Sequence, residues 1–106
     1  MMGFFDSLGK AIGSGVRSIQ DTYVEQVLKN MQGYENDSRH DLMDLLVNVE
    51  ARGTKMAIIL SIAEKNDISG AIQAAKDNGI AKKSFEPFFN SRIGHTAKEI
   101  VKEWDR

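Results

Sequence analysis

The chain has no cysteine, a single proline and a single tryptophan among its 106 residues. Without cysteine there is no disulfide, no thiolate metal ligand and no thiol nucleophile, a composition that fits a reducing cytoplasm. With one proline, almost nothing along the chain prohibits helix. Neither sign of charge is in excess: 14 Lys and Arg face 15 Asp and Glu, for a formal net charge of −1. No global field therefore draws the molecule to nucleic acid or to anionic lipid. The balance is even along the chain too, so no segment is a charged tail. Long apolar runs are also missing. The longest, Met56 to Ala63, falls far short of the roughly 20 residues that a helix needs to cross a bilayer. Asp6, Gly9 and Lys10 interrupt the N-terminal region where a secretory signal needs an unbroken apolar stretch. The expectation is a soluble, cytoplasmic protein.

What is present is ordinary for one small globular domain, with 42% apolar and 27% charged residues. No stretch alternates apolar and polar residues long enough to predict a strand, whereas helical spacing recurs throughout. From Phe5 the apolar positions Leu8, Ile12, Val16, Ile19, Tyr23, Val27 and Met31 follow at intervals of three or four residues. These intervals are longer on average than the ~3.5 residues of a left-handed coiled coil, which disfavours a heptad zipper. From Ile19 onward Val24 and Leu28 widen the stripe into a face suited to a core. Before Ile19 the stripe is narrow, and each of Gly9, Gly13 and Gly15 costs ~1 kcal/mol of helix stability. The division predicted is an amphipathic, glycine-containing arm over residues 1–17 and a single helical domain over 18–106.

Gly33 ends the first helix, and Ser38 or Asp37 caps a second that carries Leu42, Leu45, Leu46 and Val49 on one face, with Met43 and Val47 widening it. Gly53 and Thr54 are expected to break or bend the chain. Met56 to Ala63 is apolar all round, the mark of a helix enclosed by others. Ser69 is the expected cap of a short alanine-rich helix, and Asn78-Gly79-Ile80 reads as its C-terminal stop. Ser84 caps a brief helix with Pro87 in its first turn and Phe85, Phe88 and Phe89 to bury. Thr96 caps a last helix with Ala97, Ile100, Val101 and Trp104 on one face. The fold class is all-α: a compact bundle or orthogonal array of five to six short helices.

The segment from Gly9 to Gly15 superficially suggests a phosphate loop, but Val16 stands where the motif needs lysine and no strand precedes it. From Met2 the chain also matches the short N-myristoylation pattern, which recurs by chance. His40 lies among Asp37, Asp41 and Asp44, a spacing that can gather metal ligands on one helical face. Acidic residues at a helix start are already explained by the helix dipole, so no metal or other cofactor is expected. Arg92, His95 and Thr96 stand at a helix N-terminus, where free amides and a guanidinium form a weak candidate anion site. No nucleophile elbow, zinc-protease helix, calcium loop or dinucleotide fingerprint is present, and no catalytic residue is assigned.

The N-terminal segment carries the remaining information. Phe4, Phe5, Leu8, Ile12 and Val16 form an apolar strip opposite Ser7, Lys10, Ser14 and Arg17. Such a strip suits a groove on another protein through anchors at helical spacing, a membrane interface, or simply the chain's own core. Few basic residues favour protein over lipid. Phe85, Phe88 and Phe89 form a second candidate surface. The expected function is a small non-enzymatic module that binds another protein by occupancy, of the inhibitor, immunity or assembly-adaptor type. The alternative is peripheral membrane binding through the N-terminal segment. Nucleic acid is disfavoured, because acidic residues interleave with the basic ones of the last third. A homo-oligomer stays open.

Overall fold

Every side chain from Met56 to Ala63 is buried, so one helix has no solvent-facing side over two turns and the rest of the chain is wrapped around it. The computed structural model describes the backbone of residues 11–106 and the side chains from residue 20 onward. Within these bounds the elements are α1 (Ala11–Gln32), α2 (Arg39–Asn48), α3 (Arg52–Glu64), α4 (Ile68–Asp77), a 3₁₀ helix (Lys82–Phe88) and α5 (Gly94–Glu103). The described residues contain no strand, and the expected all-α array of five to six short helices is what the chain forms. The enclosed helix α3 packs against α1, α2, α4 and α5. Ser61, its one polar residue in the buried stretch, donates to the carbonyl of Ala57 at 2.8 Å and so needs no other partner.

The helix α1 runs parallel to α3. Tyr23 lies over Gly53 at the start of α3, while Met31 shares a pocket with Ser61 and Glu64 at its end. A Cβ at Gly53 would stand 3.9 Å from the Tyr23 ring, so the glycine belongs to a helix–helix contact. The expected break at Gly53 and Thr54 is therefore displaced. Val49 and Ala51 take extended backbone angles, and Gly53 and Thr54 already lie in the first turn of α3. Among the described side chains of α1, burial begins at Val24 and continues through Val27 and Met31. The backbone of α1 is continuous across residue 17, where the boundary between arm and domain was expected.

The caps follow chemistry more than position. Ser38 Oγ accepts from the amide of Asp41 at 3.1 Å, as expected. The start of α4 is capped by Asp67, which accepts from the Gly70 amide at 3.0 Å, and Ser69 instead stands exposed in the first turn. A carboxylate held by an arginine is the better cap: Arg39 Nε donates to Asp67, tying the start of α2 to the start of α4. At the end of α4, Gly79 adopts φ +70°, its amide donates to Lys76 and the amide of Ile80 donates to Ala75. This is the Schellman arrangement expected of Asn78-Gly79-Ile80.

The connection to α5 corrects two further expectations. The segment Lys82–Phe88 is 3₁₀, closed by bonds such as Ser84 to Ala81. Residues three apart eclipse one another in a 3₁₀ helix, so Phe85 and Phe88 point together into the core and both are fully buried. Helix α5 begins at Gly94, two residues before Thr96. A Cβ at Gly94 would collide with the carbonyl of Phe89, and only glycine permits this close passage.

Candidate functional site

The apolar content of α2 exceeds what one core can take. Leu42, Met43, Leu45, Leu46, Val47 and Val49 fall within eight consecutive positions, and a helix can turn only about half of such a run toward one neighbour. Leu42 and Leu46 are buried against α3, Met43 and Val49 are half-buried, and Leu45 and Val47 remain 38% and 82% exposed. Exposed large apolar side chains are few among the described residues. Two of the three lie on this short helix, the third being Tyr23 at 37%. Burial raises the Tyr23 phenol pKa above its usual value, against the opposing charge of Arg52. The group is therefore a neutral aromatic surface, edge-on to Phe88 at 5.9 Å.

Helices α2 and α4 both pack on α3 but not on each other, which leaves a groove between them. The groove has a volume of about 600 Å³, within the range of sites that hold a ligand or an anchoring side chain. Met43, Leu46, Val47 and Val49 form the α2 wall. On the α4 wall, Gly70 and Ala74 keep the opening wide, while Gln73 and Asp77 form its polar rim. The Gln73 amide occupies Asp77 at 2.9 Å. The ion pair between Arg39 and Asp67 closes one end. Lys55 stands at the other end, half-buried at the first turn of α3, and no carboxylate among the described residues lies within ion-pair distance of it. An uncovered apolar wall and an uncompensated cation thus face the same space.

A second opening of similar volume, about 610 Å³, runs beside α1. Its walls are Thr22, Glu25, Gln26, Leu28, Lys29, Gln32 and Arg92, with Leu28 the one apolar residue among them. A smaller pocket of about 210 Å³ lies between Tyr34, Glu64, Lys65 and Arg92. Lys65 is spent on the carbonyl of Glu35 at 2.9 Å.

The candidate residues from the sequence fall in three places. Phe4, Phe5 and Leu8 lie outside the described residues. Ile12 and Val16 lie on α1, but their side chains are outside the description as well. Phe85 and Phe88 are core and Phe89 is half-buried, so the second candidate surface offers no aromatic cluster to a partner. Arg92 and His95 are exposed, whereas Thr96 is buried and its hydroxyl donates to Glu64. An anion beside Arg92 would meet the carboxylate of Glu64, and the hydroxyl expected to bind it is already taken. His40 Nε2 lies 3.6 Å from Asp44, and both side chains are well exposed. No three His, Asp or Glu side chains among the described residues converge in a way that would hold a metal. Among the described residues, no buried side-chain nitrogen or oxygen is left without a hydrogen bond. No helix among the described residues is long and apolar enough to cross a membrane.

The groove itself was not predicted. Its signal was the surplus of apolar residues on α2, where Met43 and Val47 read as a wider core face. Comparison with protein-family models, with curated proteins and with solved structures finds no match for the chain.

Proposed function

We propose that this chain is a non-enzymatic protein-binding module that acts by occupying a partner, of the inhibitor, immunity or assembly-adaptor type. The α2–α4 groove is its receiving surface. The observation that carries the reading is the uncovered apolar wall of α2, above all Val47 at 82% exposure beside Met43 and Val49. Apolar surface gains roughly 25 cal/mol per Å² when removed from water, so this wall is stabilised by a partner and by nothing in its own chain that is described. A groove between two helices suits an amphipathic helix or extended segment. Groove-lining groups with titratable protons are Arg39, Lys55 and Asp77, with no hydroxyl or imidazole among them, which supports binding over acid–base or nucleophilic chemistry. A cytoplasmic setting fits a chain without cysteine.

The test is selection of binding segments from a random peptide display library with the whole chain as bait. Amphipathic segments are the expected yield, with capture lost on Val47→Asp and retained on Gln26→Asp, which lies beside α1. Segments indifferent to Val47→Asp would remove the groove from this reading. Co-sedimentation with phosphatidylcholine–phosphatidylglycerol vesicles that is lost on Phe5→Asp would favour the membrane alternative.

A further inference from the structure

We infer that the α2–α4 groove, read as a receiving surface, takes an amphipathic segment of another protein that carries a carboxylate at one end of its apolar face, paired with Lys55. The polar side chains of the groove are satisfied within the chain, with one exception. Arg39 donates to Asp67, the Gln73 amide donates to Asp77 at 2.9 Å, and the Asn78 amide donates to the carbonyl of Ala74 at 2.8 Å. Lys55 lines the same space, and among the described residues its ammonium has neither a carboxylate nor a hydrogen-bond acceptor. The first turn of α3 holds no acidic residue, so its own helix supplies no counter-charge. Docking makes this cation decisive. Lys55 is already half-buried, and a segment laid over Val47 and Val49 covers it further. A purely apolar segment therefore loses at Lys55 part of what it gains on α2, and a basic one loses more. A segment with a carboxylate at that point gains on both. Asp77 makes no such demand, since it is exposed on the rim and holds the Gln73 amide.

The fold also sets where the carboxylate must stand. Only residues 49–51 separate α2 from α3, so Lys55 lies at the Val47 and Val49 end of the α2 wall. Arg39, at the start of α2, lies at the opposite end and is already paired. The wall is a helix of 10 residues, about 15 Å long, which gives room for two to three turns of a helical segment. The apolar anchors therefore run from the carboxylate in one direction only, over Val47 first and Met43 next. In a helical segment, an acidic residue three or four positions from the first anchor lies on the same face and meets both demands.

Selection from a random peptide display library with the whole chain as bait, repeated with Lys55→Glu, tests the inference. The wild-type bait is expected to enrich Asp or Glu at one fixed spacing from the apolar anchors. The Lys55→Glu bait should enrich Lys or Arg at that position while the anchors persist. Fluorescence anisotropy of one selected peptide should show binding at least about tenfold weaker with Lys55→Met, or when the acidic residue of the peptide is replaced by its amide. Reversing the charge on both sides should restore the affinity to within about threefold, and Lys29→Glu, beside α1, should leave it unchanged. Circular dichroism confirms that each variant is folded, and the peptide substitution reads the same contact without touching the protein. Segments that need Val47 but show no acidic position, or that bind Lys55→Met as tightly as wild type, refute the inference and leave the groove reading standing. Segments indifferent to both Val47→Asp and Lys55→Met, or a bait that enriches nothing, refute the groove itself. Self-association in sedimentation velocity that Val47→Asp abolishes would give the groove to a second copy and overturn the partner named here.

Discussion

Replacing Ile59 by alanine tests whether α3 is the centre of the molecule. Ile59 is fully buried within a helix that has neighbours on all sides, so the lost atoms cannot be replaced by solvent. The substitution removes three carbons, worth about 0.8 kcal/mol each in transfer from water, or roughly 2–2.5 kcal/mol together. The vacated space of up to about 80 Å³ adds a cavity penalty of ~24 cal/mol per Å³, so a site that cannot collapse costs about 2 kcal/mol more. Four surrounding helices hold the backbone in place, so the loss should be in the upper half of the ~2–5 kcal/mol range for such changes. A loss of about 3.5–4.5 kcal/mol is a large part of the total for a domain of this size, typically ~5–15 kcal/mol. It should lower the melting temperature by roughly 15–30 °C. Urea unfolding followed by circular dichroism at 222 nm gives the free energy directly. Val47→Ala is the internal control: also β-branched and helical but 82% exposed, it should change stability by less than about 0.5 kcal/mol. A cost below about 1 kcal/mol at both Ile59 and Leu60 would place α3 at the surface and refute this account of the core.

Gly94→Ala should destabilise by at least about 2 kcal/mol in the same urea assay, because the new methyl meets the Phe89 backbone carbonyl, which cannot rotate away; a neutral result would mean that the chain does not pass so close there. Gly79→Ala should cost only about 1 kcal/mol, since nothing lies near its missing side chain and the penalty is the left-handed conformation alone. The Asp67 carboxyl is held below its usual pKa of 3.8, chiefly by the hydrogen bond from Arg39, so the unfolded chain binds the proton more readily. Its contribution is therefore complete above the usual carboxylate range and fades as pH falls through the lowered native value. Asp67→Asn, which can still cap α4, should flatten the loss of melting temperature between about pH 4 and pH 2 by an amount worth less than ~1 kcal/mol, as partly exposed pairs contribute little; an unchanged acid limb would mean that the pair is not formed in solution.

How much the sequence revealed depended on how local the determining physics was. The run from Met56 to Ala63 announced its enclosure, because a helix apolar on every side has only one stable place. The stop at Asn78-Gly79-Ile80 was equally legible, since it needs only a left-handed glycine and two backbone bonds. The start of α4 was not. Ser69 and Asp67 are both good caps, and the choice between them was made by Arg39, which is distant in sequence. Phe85 and Phe88 are buried, as their place on a short helix predicts, and the alternative that they form a second surface fails because a 3₁₀ helix gathers residues three apart on one side, a tighter winding that nothing before Pro87 signals. The groove was hidden for a related reason. Periodicity shows which residues share a face but not whether the neighbour that should cover it is present, and α4 stands too far from α2 to cover Val47.

Backbone amide chemical shifts of the ¹⁵N-labelled chain, followed while a display-selected amphipathic peptide is added, test the central claim most directly. The account predicts that the perturbed amides cluster on Met43 to Val49, on Lys55 and on Gly70 to Asn78, the two walls and the Lys55 end of the α2–α4 groove. Val47→Asp should abolish the changes without altering the rest of the spectrum. Shifts confined to the exposed face of α1 around Glu25 and Lys29, with the groove silent, would contradict it.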